Sequence, residues 1–445
     1  MSTKTAQKLD RNVTVSSMVG TAIEWYDFYV YGTASALVFG ALFFTTLDPL
    51  AGTIAAFDTF AVGFLARPIG AAVFGHFGDR LGRKRMLVFS LLGMSSATIL
   101  VGLLPTYAQI GIWAPILLTL FRLVQGFCVG GEWGGATLLS VEHAPVGRKN
   151  LAGALVQVGS PMGLVISTIV VAIFSGLPGH AFLAWGWRIP FLFSAVLVVI
   201  GLFIRLRVTE SPEFEKLKKG GATTKMPLLR AFHTSPVQIL GGILLTCGPF
   251  VYFYFFTTFL LTFGLNKLHF DRQFLLIVVA VSSAIEIFTL PLAGTLADRV
   301  GRNKVFLIGA IGLIVFAFPM VGLLVAFPGN VAVILAVIIV GITIIHPLTY
   351  ALLSAMFVDL FSPEIRYTGI SLAFQLGGVV GGFSPLIFTA MLTTHAWEVL
   401  IPGYMALLSA LTILAAIVLI RAKRRRERGQ SVRLSALGGV ASAAR

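Results

Sequence analysis

The chain has 445 residues, 57% of them hydrophobic and only 11% charged. That charged share is about half of what a soluble globular domain carries, and apolar stretches of about 20 residues, each long enough to cross a bilayer core, recur from end to end; a soluble enzyme is excluded. The formal charge of +15 does not mark a nucleic-acid binder, because the basic residues sit in the short breaks between apolar stretches, where membrane proteins keep them.

In chain order, residues 1–14 are polar and basic and read as a cytoplasmic tail. Glu24 and Asp27 interrupt the apolar segment that follows, which a cleavable signal does not tolerate, so this segment reads as a permanent first helix. Helices are expected at roughly 15–44, 53–78, 86–104, 112–142, 150–175, 187–206, 236–263, 272–297, 304–324, 330–359, 367–392 and 399–421. The first six make one bundle, 15–206, and the last six a second, 236–421. The polar stretch 207–235 reads as a cytoplasmic linker. Residues 422–445 read as a basic cytoplasmic tail, with the run 421–428 suited to anionic headgroups. The fold class is therefore all-α integral membrane, twelve transmembrane helices in two six-helix bundles. With both termini cytoplasmic, nearly all of the 33 Lys and Arg fall on that side. Arg188, Lys267 and Arg272 fall outside, and Arg67 and Arg122 within the membrane, as the positive-inside rule requires. Cys128 and Cys247 lie in apolar stretches and read as buried thiols. No metal-ligand set, nucleotide loop or nucleophile–base motif is present, so neither an enzyme nor a metal or cofactor is expected.

Two loops repeat each other 219 residues apart: Gly75-His-Phe-Gly-Asp79-Arg80-Leu-Gly82-Arg83 and Gly294-Thr-Leu-Ala-Asp298-Arg299-Val-Gly301-Arg302. A second pair, Arg148 with Gln157-Val-Gly159 and Arg366 with Gln375-Leu-Gly377, stands 218 apart. The one-residue slip is what a loop insertion produces. Equal topology in the two halves implies parallel repeats about an axis along the membrane normal. Such short turns need glycine where the backbone bends sharply or packs closely. The aspartates can face the positive N-terminus of a neighbouring helix, while the arginines stay on the cytoplasmic surface. The expectation is a conformational gate made of Gly75, Asp79, Arg80, Gly82, Arg83, Asp298, Arg299, Gly301, Arg302, Arg148 and Arg366.

Ionisable residues inside a bilayer cost several kcal/mol and call for a partner or a purpose. Glu24, Asp27 and Tyr31 share one face of the first helix at i, i+3 and i+7, and Gln125 and Glu132 are likewise seven apart in the fourth. Three carboxylates against Arg67 and Arg122 leave one net negative charge, which invites a proton. Asp27 is the favoured proton carrier, then Glu132, then Glu24. Permanent ion pairs such as Asp27–Arg67 or Glu132–Arg122 are the structural alternative. Arg67 and Arg122 suit a substrate carboxylate, which guanidinium grips bidentately. In the second half Glu286 is the repeat counterpart of Arg67 and could meet a cationic group. His346 is the histidine deep in a span, and Tyr252 or Tyr254 could hydrogen-bond a ligand if turned inward.

These loops look like the signature loop of the major facilitator superfamily. Trp25-Tyr-Asp27-Phe-Tyr29, Arg67-Pro68, Arg122-x-x-Gln125-Gly126, Gly130-Gly-Glu132-Trp-Gly-Gly135, Trp187-Arg-Ile-Pro190 and Glu210-Ser-Pro-Glu-Phe214 narrow the match. Together they resemble the metabolite:proton symporter family, whose members carry shikimate, 2-oxoglutarate, citrate, or proline and betaine. The resemblance implies a bacterial inner-membrane carrier whose first and fourth helices of each half line one cavity, with Gln157 and Gln375 as gate or ligand residues. Glu286 stands outside the family pattern and so bears on specificity. The expected function is proton-coupled import of a small organic anion by alternating access, with import of a zwitterion such as proline or betaine as the alternative and a non-transporting sensor behind both. The proton is the coupling ion, the partners are the small-molecule substrate and the lipid bilayer, and a monomer without nucleic acid is expected.

Overall fold

The structure is a computed structural model that describes residues 9–177, 180–219 and 226–443. The described residues are helical with no strand. Twelve long segments account for most of them. α1 runs over Arg11–Ala34 and continues through a π-helical turn, Ser35–Phe39, into Gly40–Phe43. α2 is Pro49–Leu81 and α3 Arg83–Leu103. α4 is Trp113–Glu142, α5 Lys149–Ser175 and α6 Phe182–Leu206. α7 is Pro236–Tyr254, extended by a second π turn, Phe255–Phe259, and Leu260–Asn266. α8 is Arg272–Val300, α9 Arg302–Ala326, α10 Val331–Val358, α11 Arg366–Leu392 and α12 Trp397–Ala443. Eleven segments are long and apolar enough to cross a membrane; α1, carrying Glu24 and Asp27, is the twelfth. Side-chain caps set several starts: Asp10 accepts from the backbone N–H of Asn12 at 2.9 Å, and Asp271 from Gln273 at 2.8 Å.

The two halves repeat in packing as well as in sequence. α1 lies on α5, α2 on α4 and α3 on α6; correspondingly α7 lies on α11, α8 on α10 and α9 on α12. The π turns of α1 and α7 fall at matching positions. Outward faces carry exposed Ile69, Val199, Phe288, Leu292 and Val315, an apolar belt that only lipid covers without cost. The halves meet through α2 against α11 and α5 against α8 and α10. At the basic end the Asp79 and Asp298 loops are part of these contacts.

Two segments outside the bundles have helical structure of their own. The linker contains two short helices, Pro212–Lys219 and Pro227–Thr234. The basic run after 421 does not leave the helix as a separate tail: α12 continues to Ala443, because Lys and Arg are good helix formers and no Pro or Gly stops it before 429. Most of the expected N-terminal tail, 1–8, lies outside the described residues.

Candidate functional site

The polar centre of the first half is built on five helices, α1, α2, α3, α4 and α6. Asp27 on α1 is fully buried and accepts from Thr98 Oγ1 of α3 at 2.9 Å and from Ser194 Oγ of α6. Thr98 Oγ1 accepts in turn from Gln125 Nε2 at 2.8 Å, and Gln125 Oε1 accepts from Arg122 Nη1 at 2.5 Å. A chain of hydrogen bonds thus joins Asp27 to Arg122. The Arg122 guanidinium lies over Tyr31, Phe60 and Phe28, with 4.3 Å to the Tyr31 ring centre, and Tyr31 Oη meets Thr59 Oγ1 at 2.9 Å. Arg67 lies over Phe64 at 4.7 Å and Phe28 at 5.1 Å. Both arginines are buried, and among the described residues neither has a carboxylate within ion-pair distance. Cation–π contacts stabilise them only partly. Glu24 is buried, with Oε2 unpartnered.

Glu132 goes elsewhere. α4 breaks at Gly130–Gly131, and Glu132 turns toward the basic end, where Arg205 of α6 holds it in a bidentate ion pair and Ser90 Oγ donates to it at 2.9 Å. Neither suggested ion pair, Asp27–Arg67 or Glu132–Arg122, forms. The charge balance changes too. Arg205 sits at the end of a span, where sequence assigns it to the cytoplasmic surface, yet it is 3% exposed. Counting it, three carboxylates face three guanidiniums, and the expected surplus negative charge disappears.

In the second half Glu286 of α8 meets His346 of α10, Nδ1 to Oε1 at 2.7 Å, both buried. A π-helical stretch, Ile339–Ile345, leads directly into His346. His346 stacks on Tyr350 at 4.8 Å, and Phe253 of α7 touches both His346 and Trp25 of the first half. Tyr254 packs edge-on to Phe64, whereas Tyr252 turns into its own half and donates to the Leu313 carbonyl. The two glutamines bridge the halves. Gln157 accepts from Trp133 Nε1 at 2.6 Å and donates to the Tyr350 carbonyl at 3.1 Å, and Gln375 donates to the Val129 carbonyl at 3.5 Å.

At the basic end the repeated loops act as helix caps across the halves. Asp79 accepts from the backbone N–H of Tyr367 at 3.1 Å and of Thr368 at 2.9 Å, and from Thr368 Oγ1 at 2.8 Å, at the start of α11. Asp298 does the same at the start of α5, from the N–H of Asn150 at 3.1 Å and of Leu151 at 2.9 Å. Gly82 and Gly301 make their turns at φ 115° and 107°, where L side chains are strained. A Cβ on Gly75 would meet Thr368 Cα at 2.6 Å, and one on Gly294 would meet Asn150 O at 2.9 Å. Arg80 and Arg299 stay exposed, but Arg83 does not: it is fully buried, paired with Glu142 and donating to Ser211 at 2.7 Å. Arg366 grips the same Glu142 at 2.8 Å and also Glu213. Arg302 instead pairs with Asp359 at 2.5 Å, which Lys423 shares at 2.7 Å. Burial raises the Asp359 carboxyl, and Arg302 and Lys423 more than offset it, holding it down at about 2. A cavity of about 320 Å³ opens beside this pair, lined by Gln238, Asn303 and Arg424 among others, away from the central charges. Arg148 is exposed and joins no ion pair among the described residues. Thr98, Ser194, Arg205 and Glu142 had no distinguishing signal in the sequence; each acts through a helix distant in the chain.

A family model described as Major Facilitator Superfamily matches residues 18–385 and 267–443. The chain is 40% identical to the inner membrane metabolite transport protein YhjE of Escherichia coli, over 91% of this chain and 93% of that one. It is 41% identical to the shikimate transporter of the same organism, covering 87% and 89%, and 34% identical to the proline/betaine transporter of Salmonella typhimurium, covering 89% and 80%. Among solved structures, the proton:xylose symporter XylE bound to 6-bromo-6-deoxy-D-glucose superposes with a TM-score of 0.71 at 19% identity, covering 92% of this chain and 95% of that one. That likeness extends to the fold.

Proposed function

The chain belongs to the major facilitator superfamily and is a membrane transporter of small molecules, and we propose that it imports a small organic acid together with a proton by alternating access. The observation that carries this reading is the pair of buried arginines, Arg67 and Arg122, held on aromatic faces with no carboxylate of their own. A substrate carboxylate supplies the missing charge and hydrogen-bond acceptors. The basic end is the cytoplasmic end, so the caps and ion pairs described above close the inward path and leave the site to be filled from outside.

Asp27 carries the proton. It is linked to Arg122 through Thr98 and Gln125, so loss or gain of its charge alters what holds the Arg122 guanidinium in place. Glu132, committed to Arg205, is displaced from second place by Glu24. Proton and anion entering together reduce the electrical penalty of moving an anion inward, roughly 2.3 kcal/mol per charge per 100 mV. Filling of the site then releases the α2–α11 and α8–α5 caps, and the halves rock.

The test is proton uptake into sealed proteoliposomes with a pH dye, using a panel of carboxylic acids with proline and betaine alongside. Acidification of the lumen by an acid, abolished in Asp27→Asn, is the expected result. Acidification by betaine or proline alone moves the substrate to the zwitterion class. Uptake of substrate without proton flux removes the coupling.

A further inference from the structure

The two halves treat one repeated corner differently. In the first, the Glu210 carboxylate of the linker sits on the start of α3, accepting from the backbone N–H of Arg83 and of Lys84, each at 3.2 Å. A Cβ on Gly82 would strike that carboxylate, whereas one on Gly301, at the corresponding start of α9, would meet nothing within 4 Å. Sequence accounts for the difference. Trp185 and Ile189-Pro190 at the start of α6 recur 212 residues on as Trp397 and Ile401-Pro402 in α12, and that offset carries Glu210 to Ala422 and Ser211 to Lys423. The trio Arg83, Glu142 and Ser211 thus repeats as Arg302, Asp359 and Lys423, with a methyl group in place of the capping acid. The cavity of about 320 Å³ opens at this corner, lined by Arg302, Asn303, Ala422, Lys423 and Arg424, with Asp359 as the acid among them. Three cations against one carboxylate leave two positive charges, and the N–H groups at a helix start add to the same sign. A further wall comes from Leu419, where the apolar run of α12 gives way to the basic segment after 421. In a membrane that is the headgroup level of the cytoplasmic leaflet.

We propose that this cavity binds a phosphate oxyanion, from a lipid phosphodiester or from free phosphate, which serves the second half as the Glu210 carboxylate serves the first. Its oxygens go to the start of α9, as those of Glu210 go to the start of α3, and to the side chains of Asn303 and Arg424. Arg302 and Lys423, tied to Asp359, form the wall behind them. A phosphate presents oxygens in several directions, which a cavity walled by α9 on one side and α12 on the other requires, and cationic side chains match it well. Gln238, Arg302, Asn303, Asp359 and the α12 residues all belong to the second half. An anion held there stabilises the corner of α7, α9, α10 and α12 and leaves the contacts between the halves as they are. The site is separate from Arg67 and Arg122 and does not depend on what the chain transports.

The experiment is thermal unfolding of the purified full-length chain in an uncharged detergent, read by tryptophan fluorescence. Sodium phosphate is compared with sodium chloride of equal ionic strength, and dioctanoyl phosphatidylglycerol with dioctanoylglycerol, which lacks the phosphate. The wild-type chain is expected to melt about 2 °C or more higher with a phosphate-bearing addition than with its control. A gain with the lipid alone assigns the phosphate to a headgroup; a gain with sodium phosphate as well assigns the site to the free anion too. Ala422→Glu restores a carboxylate at the repeat position. It is expected to raise the midpoint with nothing added and to lose the response to phosphate. Arg424→Gln is expected to keep the wild-type midpoint and to respond less. No gain over the control with either addition overturns the proposal. So does a response as large as the wild-type one in either variant, because the anion then binds elsewhere on the chain.

Discussion

At the scale of single residues, two buried carboxylates of the first half have opposite surroundings. Glu132 is matched by a bidentate guanidinium from Arg205 and a hydroxyl from Ser90. Asp27 has hydroxyls alone, from Thr98 and Ser194. Removing one member of a buried ion pair strands the other charge at a cost of about 3–5 kcal/mol, whereas replacing both with apolar groups of similar size is often neutral. Glu132→Gln and Arg205→Met are each expected to lower the melting temperature in detergent by several degrees, and Glu132→Leu combined with Arg205→Met to recover most of it. Asp27→Asn keeps one oxygen to accept from one hydroxyl and turns an amide N–H to the other, which a rotated hydroxyl can accept, and is expected to melt within about 1 kcal/mol of wild type while losing coupled uptake. A Glu132→Gln chain that melts like wild type would show that Arg205 is not stranded by the change. Sequence could single out Glu24, Asp27 and Glu132 because acids in apolar runs are conspicuous. It could not place Arg205, since an arginine at the end of a span looks the same whether it reaches outward to headgroups or inward to a partner on a bent helix.

At the scale of elements, the turn chemistry was legible and its partner was not. Gly82 and Gly301 mark positive-φ turns, and Asp79 and Asp298 were expected at some helix N-terminus. That the helices are α11 and α5, each in the opposite half, follows from how the bundles pack. A buried carboxylate accepting from two free N–H groups at a helix start is worth about 1–2 kcal/mol. Both bonds of each cap cross between the halves, so a motion that parts α2 from α11 and α8 from α5 would break them, and on the gate reading the caps favour the closed state. Asp79→Asn and Asp298→Asn each leave one acceptor oxygen in place of two and remove the charge. Each is expected to shift the closed-to-open ratio toward open by roughly tenfold, and the double variant by more. Distance distributions between spin labels on the first turns of α5 and α8 read this directly. An unchanged distribution in both single variants would mean that the caps move with the halves instead of locking them.

At the scale of the whole molecule, the repeat makes the latch look symmetric, and the structure is not. Glu142 and Asp359 hold matching positions at the ends of α4 and α10. Glu142 joins Arg83 of its own half to Arg366 of the other, with Glu213 of the linker on the same guanidinium. Asp359 joins Arg302 only to Lys423, which belongs to the same half. The cause lies in the partner of each acid: Arg366 reaches across, while its repeat counterpart Arg148 is exposed and forms no ion pair among the described residues. Periodicity reveals that two loops share an ancestor, but which copy keeps an interdomain contact depends on one side chain's direction. One consequence is that, of these two acids, Glu142 ties the halves together at the basic end and Asp359 does not. Ala154, fully buried and packed against Gly294 at the α5–α8 contact, offers a reporter: a cysteine there is shielded while the end is closed. With Ala154→Cys as background, Glu142→Gln is expected to raise the maleimide labelling rate about tenfold or more, since it frees Arg366 from a buried acid. Asp359→Asn is expected to leave that rate near the background value and to show its effect as a lower melting temperature instead. Equal acceleration by the two variants would return the latch to symmetry, and the linker helix bearing Glu213 would then have no special part in holding the halves together.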